Sequence, residues 1–305
     1  MAKRRRRRET RKSKRDSTDV KIEDRSLIDY VPDKDTGYPS SAAAADTPEN
    51  LAMLGPAVRD FPDSLWIEPK DWKDAARDND KYKLWGEDVK NRFTNQNPTH
   101  ECTCHALIQV GEVAWNQQRK GKGDPVLFSQ ISVYAEANPR QWGGAGCQQV
   151  LGIALRRGWL PEPIKGQDKK FKHTLHGTAG RGNDNNSSGA WVPVSKFPDG
   201  WQETAMKLRP IEVINPRSVE QMVCLLLHGR AIGVGRSGHS VPYNKVVWEG
   251  GNSSDPIRGI KAHYSDSYDV IRYDSMNMMR SAVGGSYCIW SMITPDDWED
   301  PGELT

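Results

Sequence analysis

The 305-residue chain has no apolar run that approaches membrane-spanning length, and its mean hydropathy is −0.75. A transmembrane class is excluded on that ground. Cysteine is sparse, five in all and odd in number, which excludes a disulfide-rich scaffold. The first residues, MAKRRRRRETRKSKR, have no apolar stretch behind them, so no secretory signal peptide is expected. The body lacks the signatures of an RRM, a zinc finger or a helix-turn-helix. No internal repeat is visible. These absences point to a reducing, cytoplasmic setting.

What is present is unevenly distributed. The formal charge of +3 is a balance of 43 Lys/Arg against 40 Asp/Glu. Residues 1–15 hold ten of the basic residues and one Glu, so the remainder is acidic. Like charges packed this densely repel one another and stay solvated, so a disordered basic arm is expected. Its expected work is contact with nucleic acid or another polyanion, or none beyond solvation. The arm and a small, polar linker fill residues 1–50. A globular domain is expected over 51–305.

Within that domain, spacing predicts helices over about Cys102–Gln118, Cys147–Arg157 and Val219–His228. In the first, Ala106, Leu107, Val110, Val113 and Ala114 share one face. Gly158 and Gly229 stop the second and third, and Ser218 with Gln221 forms an S-x-x-Q start signal. Lys165–Ala190 is polar and rich in Gly, Asn and Ser, and reads as a connecting loop. Strands are expected over Ala231–Val234, Val241–Trp248, Ile260–His263, Val270–Tyr273 and Tyr287–Ile293. Helices first and strands after predict an α+β fold, with a helical lobe over about 95–165 and a β-rich lobe over about 191–298.

The chemistry concentrates in Asn95–Leu107, NQNPTHECTCHAL. Cys102 stands at a predicted helix start, where first-turn N–H groups favour a thiolate. Gln96, six residues earlier, offers an amide that, with the Cys102 N–H, would form an oxyanion hole. A cysteine nucleophile needs a base, and His239 opens a predicted strand beside Gly238. Asp266, after a later strand, offers the acceptor that orients the imidazole.

The order of Gln96, Cys102, a distant Gly238-His239 and then Asp266-Ser267-Tyr268 resembles the papain-like cysteine peptidases, in their bacterial and phage-type branch. Trp142-Gly143-Gly144 resembles that family's glycine-rich cleft wall. Arg157-Gly158-Trp159-Leu160-Pro161-Glu162 resembles the Gly-aromatic-x-x-Glu exit from the wall. The resemblance spans about Ser64–Trp298. It departs at His100-Glu101, where the family has a glycine-small pair, at Asp266 for Asn, and at Tyr268 for Trp. It implies a two-lobed papain-like fold and hydrolysis of peptide or amide bonds through a thioester. Cys102 would be the nucleophile, His239 the base, Asp266 its orienter and Gln96 an oxyanion donor. Gly143 and Gly144 would hold an extended polypeptide substrate. No cofactor and no metal are implied, no membrane partner is expected, and a phage-encoded chain would be virion-associated.

Other readings stay open on sequence. Cys104 is a rival nucleophile, since Cys104-His105-Ala106 resembles the Cys-Trp-Ala of eukaryotic members. His100, Glu101, Cys102, Cys104 and His105 have the composition of a zinc cluster. Glu101-Cys102-Thr103 with Gly238-His239 also resembles the CHAP peptidoglycan amidases. The same scaffold without catalysis would serve binding or assembly. Cys104, Cys147, Cys224 and Cys288 read as small buried apolar residues.

Overall fold

The computed structural model describes residues 48–77, 101–119, 126–137, 144–162, 193–236, 238–249, 259–267 and 270–293. The basic arm, Gln96, His100, Trp142, Gly143, the segment Lys165–Ala190 and Tyr268 lie outside the described residues.

The order is helices, then sheet. The helical part holds α1 (Pro48–Ala57), α2 (Trp72–Arg77), α3 (Cys102–Gln118), α4 (Ile131–Ala137) and α5 (Cys147–Arg157), with the short β1 (Val58–Arg59) after α1. The second part holds α6 (Trp201–Met206), β2 (Pro210–Ile214), α7 (Val219–Leu227), β3 (Ile232–Arg236), β4 (His239–Trp248), β5 (Ile260–Asp266), β6 (Val270–Ser275), α8 (Met276–Ser281) and β7 (Ser286–Met292). The sheet runs β1-β2-β7-β3-β4-β5-β6. β1 pairs with β2 in parallel, and every other pairing is antiparallel. The chain is therefore α+β, as its sequence order predicts. Among the described residues no helix is long and apolar enough to cross a membrane.

Both faces of the sheet are covered. Tyr287 and Ile289 of β7 join one apolar core with Leu107, Val110, Leu151 and Trp159. Cys288, between them, joins a second core with Val223, Leu226, Ile232, Val241 and Tyr243. This is the period of two expected of a strand packed on both sides. Each fully buried Leu, Ile or Val contributes roughly 1.5–3 kcal/mol, so the two cores hold the functional elements on rigid backbones.

The helix ends obey local chemistry. Ser218 Oγ accepts from Gln221 N at 3.2 Å, and Gln221 Oε1 accepts from Arg217 N at 2.7 Å. This reciprocal start signal differs from a capping box by one residue on its return bond. α5 stops at Gly158, whose φ of 78° and ψ of −170° lie outside the range of other residues.

Two expectations change. The spacing in α3 predicts one buried face, yet Cys102 to Asn116 are all buried. Its apolar stripe packs on β3, β4 and β7. Its polar side is buried under the segment 126–130, where Glu112 Oε1 accepts from Phe128 N at 2.6 Å and Asn116 bonds both backbone groups of Val126. Strand ends also differ: β4 starts at His239 rather than Val241, and β5 runs through Asp266 rather than ending at His263. Ser265 and Asp266 have turn chemistry but pair with Ile271 and Val270. Sheet context overrides their low strand propensity.

Candidate active site

α3 brings Cys102 to the site as its first residue. Glu101 caps without a side-chain bond, and Cys102 stands in the first turn, the end of the helix whose dipole favours a negative charge. The neighbouring residue anchors the position. Thr103 Oγ1 donates to the Ala145 carbonyl at 2.6 Å and lies 2.9 Å from Ser240 Oγ. Thr103 has one hydroxyl proton and gives it to Ala145, so Ser240 donates to Thr103. Cys147 Sγ, 3.8 Å from Ser240 Oγ, then supplies a proton to Ser240. Thr103 follows Cys102 and Ser240 follows His239, so the bond ties together the two backbones that carry those residues. Thr103→Val leaves a buried hydroxyl and a buried carbonyl without this partner. Its expected cost is roughly 2 kcal/mol, against much less for Thr103→Ser. The measurement is the urea midpoint at unchanged m. Equal losses in both variants would show that the hydroxyl is not what holds the position.

His239 enters from the opposite side, as the first residue of β4. It sits directly across from Arg236 at the end of β3. Only two residues close this hairpin, and Gly238 has a φ of 77°. A two-residue hairpin turn needs positive φ, which is why glycine precedes the histidine. The imidazole is buried, and its Nε2 lies 3.0 Å from Asp266 Oδ1. That leaves Nδ1 for the Cys102 thiol. Burial alone would lower the pKa of His239. Hydrogen bonds to Asp266 and Cys102, and the negative charge of both partners, outweigh it and raise the value to about 9. The structure thus brings Cys102, His239 and Asp266 into one constellation.

The Asp266 side chain is 2% exposed, and both of its oxygens are engaged. Oδ2 forms an ion pair with Arg272 Nε at 2.9 Å. Arg272 lies on β6 opposite Tyr264, diagonal to Asp266 across the β5–β6 pair. A second buried network lies alongside. Tyr243 donates to Asp274 Oδ2 at 2.5 Å, and Arg236 pairs with the same carboxylate while lying over the rings of Tyr243 and Tyr264.

Cys104 is placed differently from Cys102. It is a member of the first apolar core, 1% exposed. Burial, then the charges of Glu101, Cys102 and Cys147, push its thiol well above the ordinary range. A thiol so disposed is a poor nucleophile at neutral pH. Cys224 and Cys288 are also buried and pushed up by burial, Cys288 to about 12. None of the five cysteines is in a disulfide.

Glu101 and His105 face each other one turn apart, at 3.7 Å, both buried. Among the described residues no three His, Cys, Asp or Glu side chains converge as a metal site requires. Gly144 lies among the described residues beside Ala145, whose carbonyl Thr103 holds. Gln96 and Gly143 lie outside them.

Sequence reasoning does not single out Arg272, Thr103 or Ser240. A signal for Arg272 exists: if the turn falls at residues 267–269, the residue six after Asp266 becomes its diagonal neighbour. Nothing local marks Thr103 and Ser240 as a pair across 137 residues.

No protein-family model matches the sequence, and no curated protein matches it. Solved structures do resemble it at low identity. Xylellain, a cysteine protease from Xylella fastidiosa, is 15% identical, over 65% of this chain and 82% of that one, with a TM-score of 0.43. Digestive procathepsin L 3 of Tenebrio molitor larval midgut is 8% identical, over 84% and 83%, with a TM-score of 0.47. A recombinant stem bromelain precursor is 12% identical, over 78% and 75%, with a TM-score of 0.44.

Proposed function

We propose that the protein is a cysteine-type hydrolase of peptide or amide bonds. The observation that carries this reading is the buried imidazole of His239, bonded at 3.0 Å to Asp266 and on its other side to a cysteine at a helix N-terminus. A thiol given to such an imidazole becomes a thiolate beside an imidazolium, the activated form of a cysteine nucleophile.

The chemistry is that of these groups. The Cys102 thiolate attacks the carbonyl carbon, and the electron pair of the C=O bond moves to oxygen. The Cys102 N–H stabilises that oxyanion, with Gln96 as the second donor in this reading. As the tetrahedral species collapses, the C–N bond breaks and His239 gives its proton to the leaving nitrogen. The thioester is then attacked by water, whose proton returns to His239. The carboxylic acid leaves and the thiolate–imidazolium pair is restored. Asp266 holds the ring so that Nδ1 faces sulfur throughout. Gly143 and Gly144, without side chains, would let an extended polypeptide pair along the cleft wall.

The pH profile tests this reading. His239 has a raised pKa, so the imidazolium persists through neutral pH and is lost as pH rises through about 9. Hydrolysis of a mixed peptide-amide library by the full chain is expected to fall through that region. The fall reports the cysteine–histidine pair rather than either residue alone. A rate that instead climbs with pH through 8–9, as an unpaired thiol would give, contradicts the reading.

A further inference from the structure

We infer that Arg272 is a positioning residue that balances the charge of the Asp266 carboxylate, so that Asp266 works as an orienter of His239 without leaving a net negative charge in the buried site. The inference rests on the hydrolase reading and deepens it.

Charge decides first. In the activated state Cys102 carries −1 and His239 carries +1. A neutral amide orienter would leave this pair balanced. Asp266 adds −1 in a place where its side chain is 2% exposed. An uncompensated charge buried to that degree is costly. It would also oppose the thiolate form of Cys102 while favouring the imidazolium of His239. Arg272 restores the balance. Its Nε lies 2.9 Å from Oδ2, the oxygen that His239 does not use. The Arg272 side chain keeps 27% exposure, so its own charge is partly solvated and less costly to hold there. The contact is one of charge, and it falls on the oxygen turned away from His239, so Oδ1 stays with Nε2.

The surroundings leave this role to Arg272. From α3, Cys102 faces the imidazole, with Glu101 and Cys104 beside it and His105 against Glu101. From α5, Cys147 reaches Ser240. From β3, Arg236 sits across from His239 in register, but its guanidinium is paired with Asp274. On β5, Tyr264 lies between the two networks and is pushed up, first by burial. Among these groups Arg272 is the cation in contact with Asp266.

The test is the titration of the His239 imidazole, followed by NMR in the full chain with labelled histidine and assigned by its loss in His239→Ala. Arg272→Met is expected to raise the His239 midpoint by about one unit, because Asp266 is then uncompensated. Asp266→Asn is expected to lower it by at least about one unit, because the Arg272 cation is left behind. The double variant, Asp266→Asn with Arg272→Met, is expected to return toward the wild-type midpoint. Arg272→Lys, which keeps the charge, is expected to stay near wild type.

Opposite shifts in the single variants and recovery in the double variant support the inference. A midpoint unmoved by Arg272→Met, or a double variant as displaced as Asp266→Asn alone, overturns it. Should Arg272→Met fail to fold, Arg272→Gln, which also removes the charge but keeps a polar side chain, is read in its place with the same expected rise. Failure of the underlying hydrolase reading shows elsewhere, as Cys102 alkylation that does not depend on His239.

Discussion

Cys102→Ala is expected to take peptide-amide hydrolysis down by about 10⁴-fold or more, to background. The sulfur is the atom that bonds to substrate, and no other described cysteine is placed to replace it. Cys104, two residues on, is in the apolar core with its thiol pushed well above the ordinary range. His239→Ala is expected to cost nearly as much, because the nucleophile and its base act as one unit. For the same reason the double variant is expected to be little worse than either single one. Rates are measured on the full chain with the same peptide-amide library. Activity that survives Cys102→Ala and vanishes in Cys104→Ala would move the nucleophile two residues along α3.

The largest expected effect on stability lies far from the sulfur. Gly158→Ala is expected to destabilise the protein by roughly 3 kcal/mol or more. Two independent features combine there. The backbone at φ 78°, ψ −170° belongs to a region that only glycine occupies comfortably. A Cβ on that backbone would stand 1.8 Å from the Ala205 carbonyl oxygen and 2.7 Å from its carbon. These are backbone atoms of α6, and Ala205 is packed with Ile131, Leu160 and Trp201. No side-chain rotation relieves the clash, so α5 and α6 must separate. The expected loss corresponds to a fall in Tm of about 10 °C for a domain of this size. A variant within about 1 kcal/mol of wild type would show that the α5–α6 junction yields easily.

Legibility in the sequence tracks the range of the physics involved. α3, α5 and α7 are readable because helical period and glycine stops are local signals. The strands of the second half are readable in number and order, and less so at their ends. Asp266 reads as turn chemistry, and only its pairing with Val270 makes it the end of β5. The second buried side of α3 cannot be read from period, since Glu112 and Asn116 are polar. Their partners are backbone groups of Val126 and Phe128, ten to sixteen residues away. At the site, helix position and a glycine-histidine pair are enough to single out Cys102 and His239. The contacts that support them are not legible in this way. Thr103 with Ser240, and Arg272 with Asp266, depend on register and on the approach of α3 to β4.

The most direct measurement of the central claim is the alkylation rate of Cys102 by iodoacetamide, read by peptide mass spectrometry on wild type and His239→Ala across pH 5–9. An unpaired thiol of ordinary pKa is only about 0.03% thiolate at pH 5. A thiolate held by imidazolium is almost fully formed there, although its low basicity makes each ion less nucleophilic. The account predicts that wild-type Cys102 reacts about tenfold or more faster than the His239→Ala protein at pH 5, with a nearly flat rate from pH 6 to 8. Rates that coincide in the two proteins, rising about tenfold per pH unit toward 8.5, would contradict it.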